Sequence, residues 1–149
     1  MAITLSEICD GIETVLAEAV GVQSSQSYDE LTEGIPAMDC PRVQVYPDRG
    51  TCDPSGKTDR TTFGAGVQQV EVIVFADLYA RQRSQLAEDM KATVGMIDAI
   101  VEVLQEQERP PFFGLMGIKS FKWNWKRTTF RYTRALYMGA RFTLTLRIF

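Results

Sequence analysis

Apolar residues open the chain at helical spacing. Leu5, Ile8, Cys9, Ile12, Val15, Leu16 and Ala19 follow the i, i+3, i+4, i+7 pattern of an amphipathic helix. Thr4-Leu5-Ser6-Glu7 supplies a capping box in front of it, and Gly21 is the expected stop. Residues 22–42 then lose all period. Gly34, Pro36 and Pro41 interrupt them, and Asp29, Glu30, Glu33 and Asp39 make them acidic, which predicts a loop. Arg42–Tyr46 reads as a short strand closed by Pro47. Residues 47–66 hold four glycines and two prolines and predict a long mobile loop.

Alternation returns at Val67–Tyr79. Val70, Val72, Val74, Ala76 and Leu78 share one face. Glu71, Ile73, Phe75, Asp77 and Tyr79 share the other, so the middle of this strand is expected to be covered on both sides. A long helix is predicted over 82–107, with Leu86, Met90, Val94, Ile97, Val101 and Leu104 as its apolar stripe, widened by Ala87, Thr93 and Ile100. Pro110-Pro111 prevents its continuation. Ile118–Arg127 alternates Phe121, Trp123 and Trp125 against Lys122, Asn124 and Lys126. A last strand, about 136–148, alternates Phe142, Leu144, Leu146 and Ile148 against Arg141, Thr143, Thr145 and Arg147. The residues between them, 128–134, read as a basic, aromatic hairpin tip.

The order is thus α-β-β-α-β-β. Strands adjacent in sequence usually pair, which predicts two antiparallel hairpins joined into one mainly antiparallel four-stranded sheet. Two amphipathic helices would cover one face, giving an α+β two-layer sandwich and a single domain over residues 1–149. A chain of this length buries roughly 70% of its unfolded surface, enough for one core. The helix-free face would carry Lys122, Lys126, Arg141 and Arg147.

Charge changes this picture most. From Arg109 to Phe149 there are nine Lys or Arg and no acid, while residues 1–108 hold seven basic and nineteen acidic side chains. The net −3 therefore conceals a chain with two opposite poles. Candidate chemistry is sparse beside it. There is no histidine, which removes Ser-His-Asp, Cys-His and histidine-containing zinc sites. Cys9, Cys40 and Cys52 are too few for an all-cysteine zinc site and form no CxxC pair; reduced thiols are expected, with Cys9 as a small buried apolar group. Pro54-Ser55-Gly56-Lys57-Thr58 resembles the end of a phosphate-binding loop, but Thr51 stands where the first glycine belongs and no helical pattern follows. Gly64-Ala65-Gly66 precedes a strand instead of following one, and Asp48, Asp53 and Asp59 lack the spacing of a calcium loop. Glu88 and Asp89 are expected on the solvated face of the second helix. No catalytic residue, metal ligand or cofactor site is predicted. The apolar runs are too short for a membrane span. Met1-Ala2-Ile3-Thr4 shows no signal peptide.

The C-terminal cations interleave with Phe121, Trp123, Trp125, Phe130 and Tyr132, a mixture that suits phosphate contact and base stacking. Alternation argues otherwise, because it places the tryptophans opposite Lys122 and Lys126, as in a half-buried strand. The tryptophans are read as core or subunit interface. The basic pole then finds its complement in the acidic pole of another copy, and head-to-tail self-association follows.

The chain also resembles the tail terminators of tailed bacteriophages, small α+β proteins related to the minor tail protein U family. The resemblance is carried by the N-terminal amphipathic helix and by Tyr28-Asp29-Glu30-Leu31-Thr32-Glu33-Gly34-Ile35-Pro36 leading to Pro41-Arg42-Val43-Gln44-Val45-Tyr46-Pro47. The long loop before the second strand, and the long helix followed by a C-terminal hairpin, complete it. It implies a six-membered ring in the virion, assembled in the host cytoplasm. Such a ring caps the tail tube and meets the head-completion or neck protein, with genomic DNA passing through its lumen without specific binding. It implies no catalytic residue and no cofactor. The expected contact surface comprises Lys122, Lys126, Arg127, Phe130, Arg131, Tyr132, Arg134, Arg141 and Arg147, facing Asp29, Glu30 and Glu33. Another neck, connector or tail-tube protein is the alternative, and a non-viral nucleic-acid-binding domain a more distant one.

Overall fold

The computed structural model of the chain describes residues 3–31, 40–52, 69–132 and 134–148, and the side chains of Gln69, Val70 and Tyr132 are outside that description. The elements run α1 (Leu5–Leu16), β1 (Ser24–Gln26), β2 (Arg42–Cys52), β3 (Gln69–Gln82), α2 (Leu86–Glu106), a 3₁₀ turn (Phe112–Gly114), β4 (Ile118–Tyr132) and β5 (Ala135–Ile148). The architecture is α+β, and the sheet has five strands in the order β1-β2-β3-β5-β4. Both expected hairpins form, β2 with β3 and β4 with β5, and they join through antiparallel pairing of β3 with β5. The expectation of four strands is corrected by β1, which pairs parallel to β2 within what reads as loop. Ser24-Ser25-Gln26 has neither the alternation nor the branched side chains of a strand; pairing with Arg42–Gln44 alone makes it one.

Several boundaries also differ; β3 runs on to Gln82, where the helix is expected to begin, and α2 starts at Leu86. The helix α1 begins on its capping box, where the Glu7 N–H donates to Thr4 Oγ1 (3.2 Å) and the Thr4 N–H to Glu7 Oε2 (3.4 Å). It ends at Leu16 and not at Gly21, because Glu18 and Ala19 donate to carbonyls three residues back and tighten the last turn. Strand β2 does not stop at Pro47. It runs on to Cys52 with Asp48 bulged out between Pro47, opposite Val74, and Arg49, opposite Ile73. Proline is tolerated there because β2 has become an edge, β1 having ended opposite Gln44. The predicted loop thus loses residues 47–52 to a strand, and 53–66 fall outside the described residues together with the phosphate-loop-like segment. The basic hairpin tip is likewise mostly strand, since β4 continues to Tyr132, opposite Ala135.

The helices cover one face. Helix α1 packs on β2 and α2 on β3 and β5. Against them lie Val43, Val45, Val72, Val74, Ala76, Leu78, Phe142, Leu144 and Leu146, all buried. The buried side of α2 is Thr93, Met96, Ile97, Ile100 and Leu104, with Asp89 among them. This corrects the expected stripe, since Leu86 and Val94 face solvent. It also corrects Asp89, which is not on a solvated face. Its Oδ2 accepts from the Ser84 N–H (2.8 Å) and from Arg83 (2.9 Å), and its Oδ1 lies 3.3 Å from Arg81 Nε. The Ser84 amide, then the two arginines, hold this carboxyl below the ordinary aspartate range. Those bonds to the end of β3 roll the helix so that Asp89, and the stripe in line with it, turn inward.

Candidate assembly surface

The helix-free face is built by β2, β3, β5 and β4 together. Across its middle, register places Gln44, Asp77, Arg141 and Lys126 in one row. Asp77 is only 2% exposed although no described helix lies over it. Its own neighbours enclose it. Arg141 Nε donates to Asp77 Oδ1 (2.8 Å) and Arg141 Nη2 to Oδ2 (3.2 Å). The Tyr46 hydroxyl donates to Oδ2 and accepts from Arg141 Nη2 (3.1 Å). The Arg141 guanidinium stacks over Phe75 at 4.4 Å, and Phe75 meets Tyr46 edge-on. Burial, then the hydrogen bond to Asp77, raises the Tyr46 phenol well above its usual value. The hydrogen bond to Asp77 holds Arg141 more firmly protonated than a free arginine. With its carboxylate paired to Arg141 and its phenol bridging the two, this cluster locks β2, β3 and β5 together.

The expected contact residues therefore divide. Arg141 is paired with Asp77, and Phe130 packs on Tyr79 at 4.5 Å between ring centroids, so both have partners inside the subunit. Lys122 and Lys126 stand exposed on the helix-free face of β4. Arg127 and Arg131 stand exposed on its helix-side face. Arg134 is exposed in the turn, and Arg147 is exposed on β5 opposite Glu71. The backbone of Tyr132 pairs with Ala135, and its side chain lies outside the described residues. Asp29 and Glu30 sit exposed in the turn that follows β1, at the far edge of the sheet; Glu33 lies outside the described residues. That turn is anchored from within: Ser27 Oγ donates to Asp10 Oδ1 (2.7 Å) and the Glu30 N–H to the Ser27 carbonyl (3.0 Å).

Sequence order and spatial order coincide. Residues 1–41 contain acids and no Lys or Arg. Their described part forms α1, β1 and the following turn, at one edge of the sheet. The acid-free residues 109–149 form β4, the opposite edge, and β5 beside it. The acid-only and the acid-free stretches therefore lie at the two edges of one sheet, while the exposed Glu88, Asp98, Glu102 and Glu106 of α2 lie in the helix layer between them.

Strand β4 has a second property that alternation does not reveal. Among the described residues neither helix is centred on it, and the 3₁₀ turn packs near its start, where Phe112 and Phe113 meet Phe121. Trp123 is half-buried against the core, but Trp125 is 48% exposed. Cys9 is buried as expected, and burial pushes its thiol up to about 11, which makes it unreactive near neutral pH. Among the described residues no group of three His, Cys, Asp or Glu could hold a metal ion, and no helix is long and apolar enough to cross a membrane. No protein-family model matches the chain, and no curated protein matches it.

Proposed function

We propose that this chain is a structural virion protein of a tailed phage, a tail terminator. In this reading it forms a ring that caps the tail tube and joins it to the neck, with DNA passing through the lumen. The observation that carries the reading is the opposed charge of the two sheet edges. A subunit with complementary edges joins head to tail, and a head-to-tail contact closes into a ring when its rotation allows. The resemblance in element order, and in the Tyr28–Pro47 wording, supplies the particular ring. The partners are the tail-tube protein on one side of the ring and the head-completion or neck protein on the other.

Native mass measured across a concentration series tests it. The expected result is a closed species of six 16.8 kDa chains, about 100 kDa, that blocks elongation of purified tail tubes. A species that assembles but leaves tube growth unchanged would count against the terminator role and favour a connector.

A further inference from the structure

The helix layer ends before the sheet does. Helix α2 turns its Met96 and Ala92 flank toward Gly21, beside α1. Its opposite flank therefore looks out over β4. At 100° per residue that flank carries Met90, Val94 and Val101, and Val94 is 50% exposed. Below it, on the same face of the sheet, β4 presents Trp123, Trp125, Arg127 and Arg131. Among the described residues, wall and floor form an apolar step edged by two arginines, with Val94 and Trp125 open to water. Asp98 and Glu102 lie farther round α2, toward solvent.

The opposite edge carries a feature of matching chemistry. The turn after β1 exposes Tyr28 and Leu31, each 40%, on either side of the exposed Asp29 and Glu30. It sits at the level of the helix layer, since the Tyr28 hydroxyl donates to Ser6 Oγ of α1 (3.0 Å). Large apolar side chains in water beside two acids at one edge thus correspond to large apolar side chains in water beside two arginines at the other.

We propose that two copies of this chain join by seating the Tyr28–Leu31 turn of one on the β4–α2 step of the next, with Asp29 and Glu30 against Arg127 and Arg131. The occupant is a second copy because charge, apolarity and level in the fold all match, and because a shift along the sheet then continues the helix layer over β4. This contact rests on the ring reading above and names its surfaces. The apolar centre supplies the adhesion and the charged rim the register.

A charge exchange read by native mass and sedimentation tests it. The Asp29→Lys variant and the Arg127→Glu/Arg131→Glu variant should each associate at least about tenfold more weakly than the native chain. Each should keep its circular dichroism and melting temperature, since neither site has an internal partner among the described residues. Mixing the two variants should restore association, because each then offers a native edge or a complementary one to the other. Trp125→Ala should weaken association as well. Variants that assemble like the native chain, a mixture that stays dissociated, or a native chain monomeric at every concentration would each overturn the contact. Failure of the terminator role is separate: it would appear as assembly through this contact without capping of tail tubes. Rings indifferent to all these variants would sink the contact and leave that role standing.

Discussion

Strands β4 and β5 are two arms of one hairpin, similar in length, equally free of acids and equally regular in alternation. Their fates differ. Trp125 on β4 pairs with Phe142 on β5; the first is half in water and the second has no exposed surface. Lys126 pairs with Arg141; the first is free in solvent and the second is tied to Asp77. The cause is not in the arms. Strand β5 is inserted between β3 and β4 and lies under α2, while β4 is left at the edge beyond the helices. Position in the sheet buries one arm in the core and leaves the other at an edge in water.

The largest way to break that comparison is at the Trp125–Phe142 pair. Phe142→Ala removes a fully buried ring from the middle of the core and should cost about 4 kcal/mol, a large share of the ~5–15 kcal/mol that holds a domain. Trp125→Ala, a larger deletion, should cost about 2 kcal/mol, because only half of its side chain is removed from water. Chemical denaturation of both variants checks this. Equal losses would mean that β4 is as much core as β5.

Gly139 sharpens the same point through the backbone. It lies opposite Thr128 on β4 and Tyr79 on β3, next to the bulge between Tyr79 and Arg81. There the Leu78 carbonyl comes so close that a Cβ on Gly139 would overlap it. Gly139→Ala must push two central strands apart and should cost about 3 kcal/mol. Thr128→Ala, directly across on the edge arm, should stay within about 0.5 kcal/mol. Thermal melts of the pair decide it.

The Lys126–Arg141 pair comes next. Arg141→Ala strips the enclosed Asp77 of its cation and Phe75 of its stacked guanidinium. A partner removed from a buried pair costs ~3–5 kcal/mol, but Arg141 is itself partly solvated, so about 2 kcal/mol is expected. The loss should shrink when Asp77→Ala is already present, since the two mutations then share one interaction. Lys126→Ala should leave stability unchanged.

Much of this was legible in the sequence, and what was not has a common origin. The long β3, β4 and β5, both hairpins, α1 with its cap and the α+β class follow from local period and capping residues. The strand β1 carries no local signal, because its three polar residues become a strand only by meeting Arg42–Gln44. The roll of α2 depends on Asp89 meeting Arg81 and Arg83, so a periodicity that includes Leu86 and Val94 misplaces its face. Arg141 looked like the other cations of the hairpin; only register brings it to Asp77. Trp125 matched Phe121 and Trp123 in pattern, and only the width of the helix layer separates them. For β1 and Arg141 the missing information is a neighbour distant in sequence; for Asp89 it is a turn that folds residues five to eight positions back onto the helix. The charge poles were visible in composition, but their placement on opposite edges required the strand order.

The smallest effect on stability belongs to β4 alone and asks whether its two faces differ. Lys122 and Lys126 point to the helix-free side, Arg127 and Arg131 to the helix side, and all four are exposed. Reversing either pair should move stability by no more than about 0.5 kcal/mol, because solvent screens exposed charges and neither pair has an ion-pair partner among the described residues. Assembly should separate them. Lys122→Glu/Lys126→Glu keeps the apolar step and its arginine rim, so association should fall only through the altered field of the basic edge, an effect that about 0.5 M salt should abolish. Arg127→Glu/Arg131→Glu reverses the rim itself and should depress association even in that salt, since unmatched charges then face each other across a desolvated contact. If both pairs respond alike at every salt concentration, β4 acts as an undirected basic edge and its two faces do not differ.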